Sequence, residues 1–221
     1  MTIKNKTLFA DHNILEVRNL RKTITTQGKG VIAITSIEAN DAVVGVVAEL
    51  AKAIQIQKTS VLLIDCDASA PKVHEWFDIP NSEGFLDCIS SKNPDKHHNM
   101  VQIKLGENDG ILVIPCEFAP EKCEVIVSHS ALSLILGYKN EFDFVVLLLP
   151  PLKTSFEASE LMSVADQTYV CFTPLQNTRF EVAKTLQTLA FSNNKINGWI
   201  AIDRKFKKYD YFTRFFKKQA K

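Results

Sequence analysis

Two carboxylates stand one residue apart at the end of an apolar run: Asp65-Cys66-Asp67 follows Val61-Leu62-Leu63-Ile64. Acids at a strand end can hold a hydrated Mg²⁺, which sheds water reluctantly and is usually gripped by only one or two carboxylates. The companion of such an ion is a phosphate cradle, and the chain has a turn where one would sit. The apolar strand Val31–Ile34 runs into Ala39, Asn40, Asp41, Ala42, Val43 and Val44, and then into an apolar helix expected over 42–56. A working cradle needs glycines that bare backbone N–H groups, a Lys for the β/γ-phosphates and a Ser/Thr for Mg²⁺. Here the turn has no glycine before Gly45 and no Lys, and Val43-Val44 occupies the Lys-Ser/Thr position. The frame of a nucleotide-binding βαβ unit is kept and its loop chemistry is missing. Asp41 would set a negative charge beside any phosphate; its simpler role is to cap the helix beginning at Ala42. Asp65 and Asp67 likewise have a simpler reading, as strand-end caps of the turn that follows them.

Other residue clusters carry less. His97-His98 sit in a polar loop near Asp95, with no further ligand at metal spacing. Lys29 between Gly28 and Gly30 precedes its strand, whereas a phosphate loop follows one. The five cysteines, Cys66, Cys88, Cys116, Cys123 and Cys171, form no CxxC pair and read as buried reduced thiols.

The elements that position these residues alternate. Ile14, Leu15, Val17, Leu20 and Ile24 fall at helical spacing, giving an N-terminal helix at about 12–25. Strands are expected at 31–36, 60–65, 101–105, 111–115, 142–149, 169–173 and 196–202. Helices are expected at 42–56, 71–77, 84–89, 121–137, 155–165 and 181–191. Near-continuous apolar strands alternating with helices indicate a mostly parallel central sheet with helices on both faces, a three-layer α/β domain. The chain has 221 residues, 46% of them hydrophobic and 23% charged, which fits one globular domain over 1–203. No apolar leader follows Met1, and the longest apolar run, 144–152, is short of the ~20 residues that span a bilayer, so a cytoplasmic location is expected.

The tail, 204–221, differs from the rest. Eight Lys/Arg and one acid give it +7 in a chain of net charge +1. Phe206, Tyr209, Tyr211, Phe212, Phe215 and Phe216 are interleaved with Lys207, Lys208 and the other cations. A segment of this kind suits an anionic membrane surface at the inner face of the cell, or an acidic partner. The near-zero charge of the whole chain does not point to nucleic acid.

Asp65, Asp67, Pro71, His74 and Phe77 match the second acidic motif of the bacterial tyrosine kinases, the cytoplasmic ATPase domains that pair with capsule and exopolysaccharide chain-length regulators. Their usual arginine is Ser69 here. Arg18-Asn19-Leu20-Arg21, with Glu16 before it, resembles the subunit-association motif of that family. Ile111–Pro115 resembles the strand before a family glycine, near Glu117. Phe142–Pro151 resembles the second Walker motif, with Leu148 in place of its acid. The resemblance covers about 12–203 and implies a P-loop NTPase-like fold. It implies, as partners, a membrane chain-length regulator, an active kinase homologue or a second copy, with contacts through Glu16, Arg18 and Arg21. Tyr209 and Tyr211 resemble a remnant of the family's tyrosine cluster. With Lys, hydroxyl and Walker acid absent, the expectation is a pseudo-enzyme with no cofactor, acting as a regulatory or scaffold protein. Two alternatives stand beside it: a residual Mg·ATP-binding kinase or ATPase using Asp65 and Asp67, and a Min/Par-like positioning module.

Overall fold

The computed structural model describes residues 14–55, 58–81, 83–90, 99–105, 108–174, 177–191 and 195–202. Among them the strands are β1 (Gly30–Ser36), β2 (Val61–Asp65), β3 (Val101–Leu105), β4 (Asn108–Ile114), β5 (Phe144–Leu148), β6 (Gln167–Phe172) and β7 (Gly198–Ala201). The α-helices are α1 (Ile14–Thr26), α2 (Ala42–Gln55), α3 (Val73–Phe77), α4 (Phe85–Ser90), α5 (His129–Glu141), α6 (Glu157–Met162) and α7 (Arg179–Phe191), with a 3-10 helix at Pro120–Val127. The strands form one sheet in the order β3-β4-β2-β5-β1-β6-β7. Every pairing is parallel except the β3–β4 hairpin at one edge.

Alternation along each strand explains the two cores. Ile32 and Ile34 of β1, Leu63 of β2 and Val146 of β5 face a core shared with α1, α2 and α3. Val31 and Ala33, Leu62 and Ile64, Val145 and Leu147 face the opposite core, shared with α4 to α7 and the 3-10 helix. Both faces are covered, so β1, β2 and β5 are buried at every position and read as unbroken apolar runs.

Chain order runs from β1 to β2 in one direction across the sheet and from β5 to β6 in the other. The turn after β1 thus lies at the switch point, at the carboxyl ends of the strands, where open α/β sheets place ligands.

Several boundaries shift by one to three residues from the sequence expectation, and two of the departures have a visible cause. The helix expected over 121–137 is two elements. Ser128 is extended (φ −62°, ψ 156°) and its Oγ accepts the Ala131 N–H at 3.3 Å, so it ends the 3-10 helix and caps α5. The expected strand at 111–115 starts earlier, at Asn108, because pairing with β3 extends to Leu105–Asn108.

Candidate functional site: a closed phosphate turn

The turn between β1 and α2 is fastened from three sides. Asn40, not Asp41, caps α2: its Oδ1 accepts the Ala42 N–H at 2.9 Å, and its carbonyl accepts the Val43 N–H at 3.1 Å. These are N–H groups at the start of the helix, the donors a phosphate would need. Asn40 Nδ2 donates to Thr173 Oγ1 at 2.9 Å, and the Thr173 N–H donates to Asn177 Oδ1 at 2.9 Å. Ile37 N–H donates to the Cys171 carbonyl. The segment after β6 therefore closes on the turn, and the cavity left between them is about 10 Å³. That is room for about one water.

A charged clasp, invisible as a sequence motif, holds the outside of the turn. Lys153 pairs with Glu38, and with Glu181 at 2.6 Å. Hydrogen bonding from Lys153, helped by the Thr178 N–H and hydroxyl, draws the Glu181 carboxyl down to about 2. Glu181 also closes a capping box with Thr178: its Oε2 accepts the Thr178 N–H at 2.8 Å, and Thr178 Oγ1 accepts the Glu181 N–H at 3.2 Å. The spacing Thr178-x-x-Glu181 was the available signal for this helix start.

Val43 and Val44, at the Lys-Ser/Thr position, are 3% and 6% exposed and pack into the core between α1, α2 and the sheet rather than toward the turn. Gly45 behind them lies against Trp76 of α3, so close that a Cβ there would meet the indole at 2.8 Å. Ala39 and Asp41 are exposed and Ala42 is half-buried. Leu148, at the position of the Walker acid, is buried beside Asp65 in the β2–β5 register.

Asp65 and Asp67 work as backbone brackets. Asp65 has no exposed surface; its Oδ1 accepts the Asp67 N–H at 3.1 Å, and its Oδ2 accepts those of Lys72 and Val73 at 3.0 Å each. Burial pushes its carboxyl up to about 7, against the pull of the three N–H donors. Asp67 Oδ1 accepts from the N–H groups of Ser69 and Ala70 at 3.0 Å and from Ser69 Oγ at 2.6 Å. The two acids thus organise the turn from β2 into α3. Glu117, which the sequence offered only as a departure from a glycine, does the same for α4: it accepts the N–H groups of Gly84 at 2.5 Å and Leu86 at 3.1 Å.

These residues do not fit Mg²⁺ and a nucleoside triphosphate. The helix N–H donors are taken by Asn40, the cation and hydroxyl positions are buried valines, and Asp65 spends its oxygens on backbone. No set of three metal-ligating side chains converges among the described residues.

The association motif is split. Arg18 is exposed, while Arg21 is half-buried and donates to the Ala53 carbonyl at 3.4 Å, which staples α1 to α2. The side chain of Glu16, and all of Lys207, Lys208, Tyr209 and Tyr211, lie outside the described residues. His97, His98 and Asp95 do too. The cysteines described are unpaired, and burial pushes the thiols of Cys66, Cys116 and Cys171 well up, which keeps them inert. No described helix is long and apolar enough to cross a membrane.

The sheet order, the βαβ frame and the turn at the switch point define a P-loop NTPase-like α/β domain. No family model matches the chain. It is 25% identical over 155 residues to a protein of Staphylococcus aureus described as a putative tyrosine-protein kinase CapB, covering 68% of this chain and 67% of that protein. The kinase domain of the Escherichia coli tyrosine kinase ETK superposes with a TM-score of 0.79 at 21% identity, over 93% of this chain and 84% of that one. The chimerical protein CapA2B2 superposes with a TM-score of 0.76 at 21% identity, over 93% of each chain. The chain is thus similar in sequence to a putative bacterial tyrosine-protein kinase and shares its fold with solved bacterial tyrosine-kinase domains.

Proposed function

We propose that this chain is a catalytically degenerate homologue of the bacterial tyrosine kinases, a regulatory or scaffold subunit in capsule or exopolysaccharide synthesis and export. The observation that carries this reading is the turn after β1. Asn40 occupies the Ala42 and Val43 N–H groups from inside the chain, and Val43 and Val44 are core residues. Each charged hydrogen bond that a phosphate would forgo here is worth about 1.5–3 kcal/mol, and several are missing together. Its partners are a membrane chain-length regulator or an active kinase homologue, by analogy with the relatives named above, and exposed Arg18 on α1 is one contact available to them. The location that goes with this role is cytoplasmic, at the inner face of the membrane.

The test pairs two assays on the full chain. Incubation with radiolabelled Mg·ATP, alone and with an active homologue, asks whether the chain transfers phosphate itself. Co-purification with the cytoplasmic segment of a capsule chain-length regulator asks whether it binds the membrane partner. The scaffold reading expects a complex and no transfer by the chain alone. Phosphotransfer by the purified chain, abolished by Asp65→Ala, would overturn it.

A further inference from the structure

Three phenylalanines lie open on one rim of the sheet: Phe118 is 68% exposed, Phe156 58% and Phe180 76%. They follow β4, β5 and β6, which are parallel, so all three emerge at the carboxyl ends of the strands. In the sheet, β4 and β5 are two positions apart, and so are β5 and β6. Neighbouring strands lie about 4.8 Å apart, so the phenylalanine-bearing loops rise in steps of about 10 Å. The Lys153–Glu181 pair joins two of these loops, and the 3-10 helix packs on α6 to join the third. The loops of this rim, 37–41, 66–72, 115–121, 149–157 and 173–181, carry seven acids and three cations. Two copies of the rim would therefore repel, and the surface fits an apolar cation.

The chain carries such a segment, and the topology delivers it to the rim. β7 runs parallel to β6, so the described chain ends at Ile202 on the same carboxyl edge, one strand from the loop of Phe180. From there to 221 the sequence has eight Lys/Arg and two acids. Its aromatics recur every third residue at Phe206, Tyr209, Phe212 and Phe215. With a polyproline II backbone three residues complete one turn and rise about 9 Å, so these aromatics would share one face at nearly the step between the rim phenylalanines. The distance from β7 to β4 is about 24 Å by strand spacing, well within the roughly 60 Å reach of this segment.

We propose that residues 203–221 lie across the carboxyl rim of their own sheet, with aromatics seated on Phe180, Phe156 and Phe118 and cations against the rim acids. The docked segment covers the rim and withholds its cations from any anionic surface. This docking does not rest on the scaffold reading, since the rim and the segment meet whether or not the chain handles ATP.

Photo-crosslinking of the full chain without nucleotide tests it. Benzoylphenylalanine replaces exposed Phe156, or exposed Leu136 on α5 as a control, and tryptic fragments are identified by mass. The expected result is a crosslink within one chain from position 156 to fragments of 203–221. It should fall at least fivefold in ~1 M salt or with Lys205, Lys207 and Lys208 changed to Glu, and be absent from position 136. Absence of the crosslink, equal capture from position 136, indifference to charge reversal, or crosslinks only between chains would each overturn the proposal.

Discussion

Asp65→Asn tests the bracket under the site, and its signature is a pH dependence. Asp65 has no exposed surface and holds three backbone N–H groups at 3.0–3.1 Å. Burial raises its carboxyl from an ordinary value of 3.8 to about 7. The folded state therefore binds the proton more tightly than the unfolded chain. The stability this supplies is complete below pH ~4 and is lost as pH rises through the folded value of about 7. Between pH 5 and pH 7.5 the loss is about 2.5 kcal/mol, at about 1.36 kcal/mol per pKa unit. Asparagine cannot titrate, and it turns a donor toward at least one backbone N–H, which costs about 1–3 kcal/mol at any pH. Urea unfolding of both proteins at the two pH values, followed by tryptophan fluorescence, measures this. The wild type should lose roughly 2–3 kcal/mol more than the variant on going from pH 5 to 7.5. Parallel pH profiles would refute the reasoning, because the carboxyl would then titrate alike in both states.

Asn40→Ala removes the α2 cap and the link to Thr173, costing about 1–2 kcal/mol. For a chain of this size the melting temperature should drop by roughly 2–8 °C, with no gain in ATP affinity, because Val43 and Val44 remain. Ser128→Ala should cost about 1 kcal/mol by uncapping α5, and Ser128→Asp should restore most of it. Lys153→Met releases Glu181, whose carboxyl should rise from about 2 toward its ordinary 4.5 in an NMR titration. The native pair contributes above the unfolded value and is lost as pH falls toward 2, so the variant should lose that part of its acid sensitivity.

Much of the fold is written in the strands. Val31–Ile34, Val61–Ile64 and Phe144–Leu148 are apolar at every position, which only a sheet covered on both faces requires, and a parallel sheet with flanking helices follows. The site was legible as an absence: no glycine before Gly45, and valines in place of Lys-Ser/Thr. What fills the absence was not legible. Asn40, Thr173 and Asn177 are unremarkable polar residues up to 137 positions apart in the chain, joined only once β6 lies beside β1. Lys153, Glu38 and Glu181 form their clasp for the same reason. Local competition hid the break at Ser128, because helical periodicity runs through a residue whose hydroxyl serves the backbone better as a cap. Asp41 and Asn40 are both good capping types, and geometry rather than residue type chose Asn40.

The phosphate turn is closed from within the chain, by Asn40 and the segment after β6. Calorimetric titration of the purified full chain with ATP and with ADP, in excess Mg²⁺, probes this closure, with thermal stability followed alongside. A closed turn gives no heat and no rise in melting temperature at millimolar nucleotide. Micromolar binding, lost on Asp65→Ala, would contradict it.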